Sequence, residues 1–187
     1  MEERFSRNYR DTLIVKEYDV ILADPPWRYD FSKSKIGSIE AHYPTMALED
    51  ICRLCVPAAP NSVLYLWATN PKLVEALTVM DAWGFKYRTN LVWDKEWAGL
   101  GYWFRGQHEL LLVGVKGKFS PPNKYKRIPS VWRERKGKHS VKPKGIRKLI
   151  GEWFPDARKL ELFARDKAPG WDVWGSDVES DVNLEFR

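Results

Sequence analysis

The run Tyr18 to Ala23 (YDVILA) is short, β-branched and almost continuously apolar, and it stops at Asp24-Pro25-Pro26. A strand that is apolar on both sides must be covered on both sides, as in sheets flanked by helices, and two prolines cannot continue its ladder. Three further runs have the same character: Ser62 to Ala68, Tyr87 to Trp93 and Glu109 to Val115, with a fifth at Lys159 to Ala164. Helical patterns fall between them. Asn70-Pro71 reads as an N-cap followed by proline at the first helical position, with Leu73, Leu77 and Met80 on one face and Gly84 at the C-terminal cap. Thr45 is placed to cap Met46 to Leu54, and Pro143 opens Lys144 to Phe154 with Ile146, Leu149, Ile150 and Trp153 inward. The alternation predicts an α/β fold with a mostly parallel sheet and helices on both faces. Ligands of such sheets bind at the carboxyl ends of the strands.

The 187 residues suit a single domain over 1–187, and 44 % hydrophobic residues can fill its core, which excludes disordered and fibrous classes. Two cysteines, Cys52 and Cys55, cannot build a disulfide framework; one helical turn apart, they read as packing rather than as a metal or redox pair. The three histidines lack ligand spacing, so no metal is expected. No phosphate-binding or dinucleotide glycine motif follows a strand. No stretch reaches the ~20 apolar residues of a membrane span, and the first twenty residues lack a signal-peptide centre, so no membrane association and a cytoplasmic location are expected.

The net charge is +6, and its distribution is uneven. From Lys116 to Lys148 there are thirteen Lys/Arg and one acid, Glu134. That segment carries +12 while the remainder sums to −6. A phosphate backbone would screen such a tract, and the interleaved Phe119, Tyr125 and Trp132 offer rings on which bases stack. A basic substrate-binding loop is therefore expected within about 116–143. Two plainer readings stand beside it: a solvated loop, and aromatics that pin the segment to the core.

Asp24-Pro25-Pro26-Trp27 sits where an α/β sheet keeps its site, although Asp-Pro-Pro by itself can be a rigid turn. The four residues suit the activation of an exocyclic aromatic amine, whose lone pair is delocalised into its ring. Two acceptors holding both N–H groups localise that pair. The Asp24 carboxylate and the Pro25 carbonyl are such acceptors, and proline fixes the backbone between them. Trp27 adds a face for stacking, and the electrophile would be a cationic methyl donor approached in line. On the same edge, Lys142 precedes a helix start, a receptor for a carboxylate, and Arg165 ends the fifth run; a solvated lysine is the plain alternative for Lys142.

Seven blocks in order extend this pattern: Asp24 to Trp27, His42 to Met46, Leu64 to Asn70, Asn90 to Lys95, Leu112 to Gly117, His139 to Pro143 and Glu161 to Arg165. With them the chain, from about Tyr18 to Asp177, resembles the family of the catalytic subunit of the messenger-RNA adenosine N(6)-methyltransferase and its bacterial and phage relatives. The resemblance implies a Rossmann-like methyltransferase fold using S-adenosylmethionine. It assigns Asp24 and the Pro25 carbonyl to the target amine, with Pro26 shaping the turn and Asp24 also near the amino group of the donor. Trp27 and Tyr43 would bracket the adenine and Glu109 would touch the target nucleoside. Lys142 would pair with the donor carboxylate, and Arg165, Ser176 and Asp177 would hold its ribose. Ser176 stands where many relatives have asparagine, and Lys167 where the messenger-RNA enzyme has histidine.

The expected activity is methyl transfer to the 6-amino group of adenine in nucleic acid, DNA rather than RNA. Arg105, Lys126 and Arg127 are assigned to the polymer, and Phe31 to Glu40 to selectivity. A target inside a duplex would have to leave the stack. A homodimer or a partner subunit would complete the groove of so short a chain. Two other functions are considered: a non-catalytic nucleic-acid-binding subunit, and a methyltransferase for cytosine or a protein amide. The presence of Asp24, Lys142 and Arg165 together argues against the first, and the fourth-position tryptophan against the second.

Overall fold

The computed structural model describes residues 16–29, 45–101, 103–137 and 141–187. Tyr43, His42, His139 and the segment 31–40 lie outside the described residues.

The expected α/β architecture is present. Seven strands, β1 (Tyr18–Ala23), β2 (Ala58–Ala68), β3 (Lys86–Asp94), β4 (His108–Lys116), β5 (Val131–Arg133), β6 (Lys159–Leu162) and β7 (Asp172–Trp174), form one sheet in the order β5-β3-β4-β2-β1-β6-β7. The pairs β1–β2, β1–β6, β3–β5 and β6–β7 are parallel. Only β4 runs against the rest, antiparallel to both β2 and β3. The chain leaves β1 toward β2 and later returns to its other side as β6, so the strand order reverses at β1. Sheets of this kind open a crevice at such a reversal, beyond the carboxyl ends of the strands.

Helices α1 (Leu48–Arg53) and α2 (Leu73–Ala82) cover one face, where Ile51, Val79 and Met80 meet Ile21, Leu64, Leu66 and Leu112. Helix α3 (Lys144–Trp153) covers the other, where Ile146 and Ile150 meet Val20, Leu22, Val63, Tyr65 and Trp67. The alternation of β2 residues between these two cores is the period-2 geometry of a strand buried on both sides.

Helix ends agree with the sequence in part. Gly84, at φ 82°, ends α2 in a Schellman turn: its N–H donates to Asp81 O and the Phe85 N–H to Met80 O. The buried face of α2 is Ala76, Val79 and Met80, whereas Leu77 is 37 % exposed. Asn70 and Pro71 form a 3-10 turn leading into α2 without a side-chain cap, and the preceding Thr69 has its hydroxyl paired with Tyr29. Nor does Thr45 cap α1. The Met46 N–H is already bonded to Pro26 O, and the helix begins only at Leu48. Just beyond α3, the buried Lys159 ammonium donates to the carbonyls of Phe154, Pro155 and Ala157 and satisfies acceptors of the turn that leads into β6.

The basic tract is not one loop. Phe119 and Ile128 pack on the α3 face, Phe119 edge-on to Phe154 with 5.2 Å between ring centres. Trp132 lies in β5 beside β3 and donates its indole N–H to Glu134. The core-pinning reading therefore holds for Phe119 and Trp132, while Tyr125 remains exposed.

Candidate active site

One cavity of about 590 Å³ opens at the edge where the strand order reverses. The carboxyl end of β1 delivers Asp24 to Trp27, that of β6 delivers Phe163 to Arg165, that of β7 delivers Gly175 to Asp177, and that of β2 delivers Thr69. Because β4 is reversed, its start rather than its end reaches this edge, bringing Glu109. Lys142 enters ahead of α3.

The charged groups interlock. Lys142 Nζ lies 2.8 Å from Asp24 Oδ1 and 2.9 Å from Oδ2. It also faces Glu109 Oε2 at 3.4 Å, and Lys95 Nζ donates to Glu109 Oε1 at 2.8 Å. Burial pushes the Asp24 carboxyl above its ordinary value, against the pull of Lys142. Burial acts on Glu109 in the same sense, but Lys142 and Lys95 together bring its carboxyl below the ordinary range. Lys142, penalised by the same burial, is held above its usual value by the two carboxylates. The site thus gathers two carboxyl groups, Asp24 and Glu109, around two lysines, Lys142 and Lys95, with Arg165 near enough to act on Asp24.

The Asp24-Pro25-Pro26-Trp27 turn is fixed from several sides. The Trp27 N–H donates to Pro25 O at 2.9 Å, and the Met46 N–H donates to Pro26 O at 2.9 Å. A carbonyl has two lone pairs, so Pro25 O can still accept a second hydrogen bond. Trp27 is 7 % exposed and donates its indole N–H to Trp67 O, so it belongs to the core as much as to the cavity wall. Ser176 Oγ donates to Asp177 Oδ1 at 2.9 Å.

Of the residues singled out in the sequence, Asp24, Pro25, Pro26, Trp27, Glu109, Lys142, Arg165, Ser176 and Asp177 line this one cavity. Arg105 does not: its guanidinium is folded onto the Gly99 and Ala98 carbonyls of the β3–β4 loop. Lys126 and Arg127 do not either. Lys126 O accepts from Trp153 at the far end of α3, about 15 Å of helix from Lys142, and Arg127 Nε donates to Pro122 O. Charge density in the sequence carried no information on which sheet edge those residues would reach.

A search against protein-family models matches residues 18–177 to MT-A70. The chain belongs to the MT-A70 family. Among curated relatives, this MT-A70 chain is 35 % identical over 183 residues to the Type II methyltransferase M.MunI of Mycoplasma sp, covering 87 % of this chain and 78 % of that protein. It is 27 % identical to the human N(6)-adenosine-methyltransferase catalytic subunit METTL3, covering 91 % of this chain and 30 % of that protein. A probable N(6)-adenosine-methyltransferase MT-A70-like protein of Oryza sativa subsp. japonica is 30 % identical, with 92 % and 24 % covered. The chain thus spans under a third of these eukaryotic MT-A70 relatives.

Several residues at or against the site were missed in the sequence, Lys95 reaching it through its pairing with Glu109. Lys95 follows the end of β3 as Arg165 follows β6, so the rule that singled out Arg165 applies to it equally. Tyr29 and Phe163 carry no comparable signal; the left-handed backbone of Phe163, φ 60°, is visible only in three dimensions. Gly175 is required by space. A Cβ there would stand 2.2 Å from Ala164 O and 2.8 Å from Ala164 N, backbone atoms held by the Ala164 N–H to Trp174 O bond. Gly175→Ala is expected to destabilise this MT-A70 domain by about 1–3 kcal/mol. A thermal scan checks it, and an unchanged melting temperature would remove the packing constraint.

Proposed function

We propose that this chain transfers a methyl group from S-adenosylmethionine to the 6-amino group of adenine in a nucleic acid, DNA in preference to RNA. The observation that carries the reading is that Asp24 and Pro25 line one cavity at the strand-order reversal, together with Lys142, Glu109 and Arg165.

The residues fit the donor. Glu109 Oε2 is buried without an aligned hydrogen bond, so the cavity holds polar capacity that the described residues leave unused. Lys142 would hold the donor carboxylate, and Ser176 and Asp177 with Arg165 would hold its ribose. S-adenosylmethionine would supply an electrophilic methyl group on a sulfonium. The chain itself orients the amine. Asp24 and Pro25 O accept its two N–H groups and turn its lone pair out of conjugation, Pro26 keeps the turn rigid, and Trp27 forms a wall. Such preorganised acceptors act without reorganising during the reaction, which is where most electrostatic catalysis arises. Tyr43 completes the base pocket in this proposal, and Arg105 joins the polymer surface beside the cavity. Lys126 and Arg127 would contact only a polymer that wraps to the opposite sheet edge.

DNA is favoured because the chain spans 78 % of the Mycoplasma Type II methyltransferase and only 30 % of human METTL3. The β3–β4 loop exposes Leu100, Trp103 and Phe104 at the same edge as Asp24, an apolar surface that supports a second copy or a partner subunit. No helix among the described residues is long and apolar enough to cross a membrane, and a cytoplasmic location is part of the proposal. Labelled donor incubated with matched single-stranded and duplex DNA and RNA, followed by mass spectrometry of the nucleosides, tests the reading. N(6)-methyladenine in DNA is the expected product. Methylated cytosine, or product in RNA alone, would overturn it.

A further inference from the structure

A second cavity, of about 690 Å³, lies between α3, the sheet and the segment 117–130, at the edge opposite Asp24. It is larger than the candidate active site and is built differently. Its walls are apolar, from Val63, Leu111, Val113, Ile150, Phe119 and Trp153. Its polar lining comprises Tyr65, the neutral Thr89, Asn90, Ser120 and Ser130, and three cations. Tyr65 rises from the middle of β2, is 4 % exposed, and its hydroxyl makes no hydrogen bond in the described structure. A cavity-facing hydroxyl without a protein partner can bond a ligand group in place of water. The charged groups on the lining are Arg88, Lys118 and Arg127, all exposed to solvent, and among the described residues no carboxylate lines the cavity.

From this arrangement we infer a second binding site for a small aromatic anion: a flat apolar body within the cavity, its carboxylate toward the three cations, and a hydrogen-bonding group toward the Tyr65 hydroxyl. Apolar pockets with one or two convergent polar groups are the usual form of small-molecule sites. The site is independent of the methyl-transfer chemistry and does not rest on it. It also gives the segment 117–130 a use apart from nucleic acid: Arg127 and Lys118 serve as the rim of this cavity.

The test uses 6-hydroxy-2-naphthoate, which carries a hydroxyl and a carboxylate at opposite ends of a rigid ring pair, with 2-naphthoate and 2-naphthol as single-group controls. Binding is followed by the fluorescence of the naphthalene with the full chain, with and without saturating S-adenosylhomocysteine. The expected result is saturable binding of one equivalent that S-adenosylhomocysteine does not displace. Tyr65→Phe should weaken 6-hydroxy-2-naphthoate about five- to tenfold while leaving 2-naphthoate unchanged, the range of one hydrogen bond. Arg127→Gln should weaken both acids and spare 2-naphthol. Because Tyr65→Phe removes only an unpartnered hydroxyl, it should fold and melt no lower than the parent, which keeps the comparison sound. Displacement by S-adenosylhomocysteine, equal losses for both acids in Tyr65→Phe, or no saturable binding would each overturn the inference.

Discussion

Asp24→Asn is expected to lower the methyl-transfer rate by about 10²–10³-fold or more while leaving nucleic-acid affinity nearly unchanged. The amide keeps the size of the carboxylate and one acceptor, so the turn and the cavity remain. It removes the charge that draws the amine N–H, and it presents an NH2 group to the Lys142 ammonium in place of an acceptor 2.8 Å away. Single-turnover rates and filter binding separate the two effects. A variant that turns over within tenfold of the parent would end the assignment of Asp24 to the amine.

Lys142→Met is expected to have the next largest effect, and its direction with pH is specific. In the parent, the Asp24 carboxyl is held above its ordinary value by burial, with Lys142 the largest opposing influence. In the proposed mechanism Asp24 must be ionised to accept the amine, so activity is expected to fall with acid through a pKa above the ordinary carboxylate range. Without Lys142 that acid limb moves to higher pH. Stripping one partner from a buried pair also costs about 3–5 kcal/mol of stability. The two carboxyls respond to acid in opposite senses. The contribution of Glu109, whose folded pKa is lowered, is present above its unfolded value and lost as pH falls through the folded one. Asp24 binds its proton more tightly when folded, so its ionisation costs folding stability, in full above the folded pKa, and acid relieves that cost as pH falls toward the unfolded value. A kcat/KM profile of parent and variant from pH 4.5 to 8 reads the limb, and an acid limb that stays in place would show that Lys142 does not govern Asp24.

The legible parts of this molecule were those in which one strand or helix declares itself. The run Tyr18 to Ala23 and its proline stop placed Asp24 at a strand end, and Gly84 marked the end of α2, because burial on both faces and a left-handed backbone each leave a residue-level trace. Strands β5 and β7 were missed: three residues at a sheet edge are too few to show a period, and they are ordered by their neighbours. Thr45 and Leu77 misled because a cap or an apolar position is only an offer, which the Trp27–Met46 bridge and the packing of Ala76 decide. The cavity followed from motif positions at strand ends, whereas the division of the basic tract between two edges depends on contacts of Phe119, Ile128 and Trp132 that no local pattern records.

The reversed direction of β4 separates two design variables. In an all-parallel sheet, each turn at the reactive rim also connects to a helix, so altering it disturbs the packing behind. Here the segment between Asp94 and His108 joins two adjacent antiparallel strands rather than a strand and a helix; Lys95, which holds Glu109, is tied to the site, while the tip beyond it can change in length and chemistry with the acceptor pair at Asp24 keeping its geometry. Under the proposed function, target choice can therefore diverge faster than the reaction itself, through a hairpin tip exchanged as a unit.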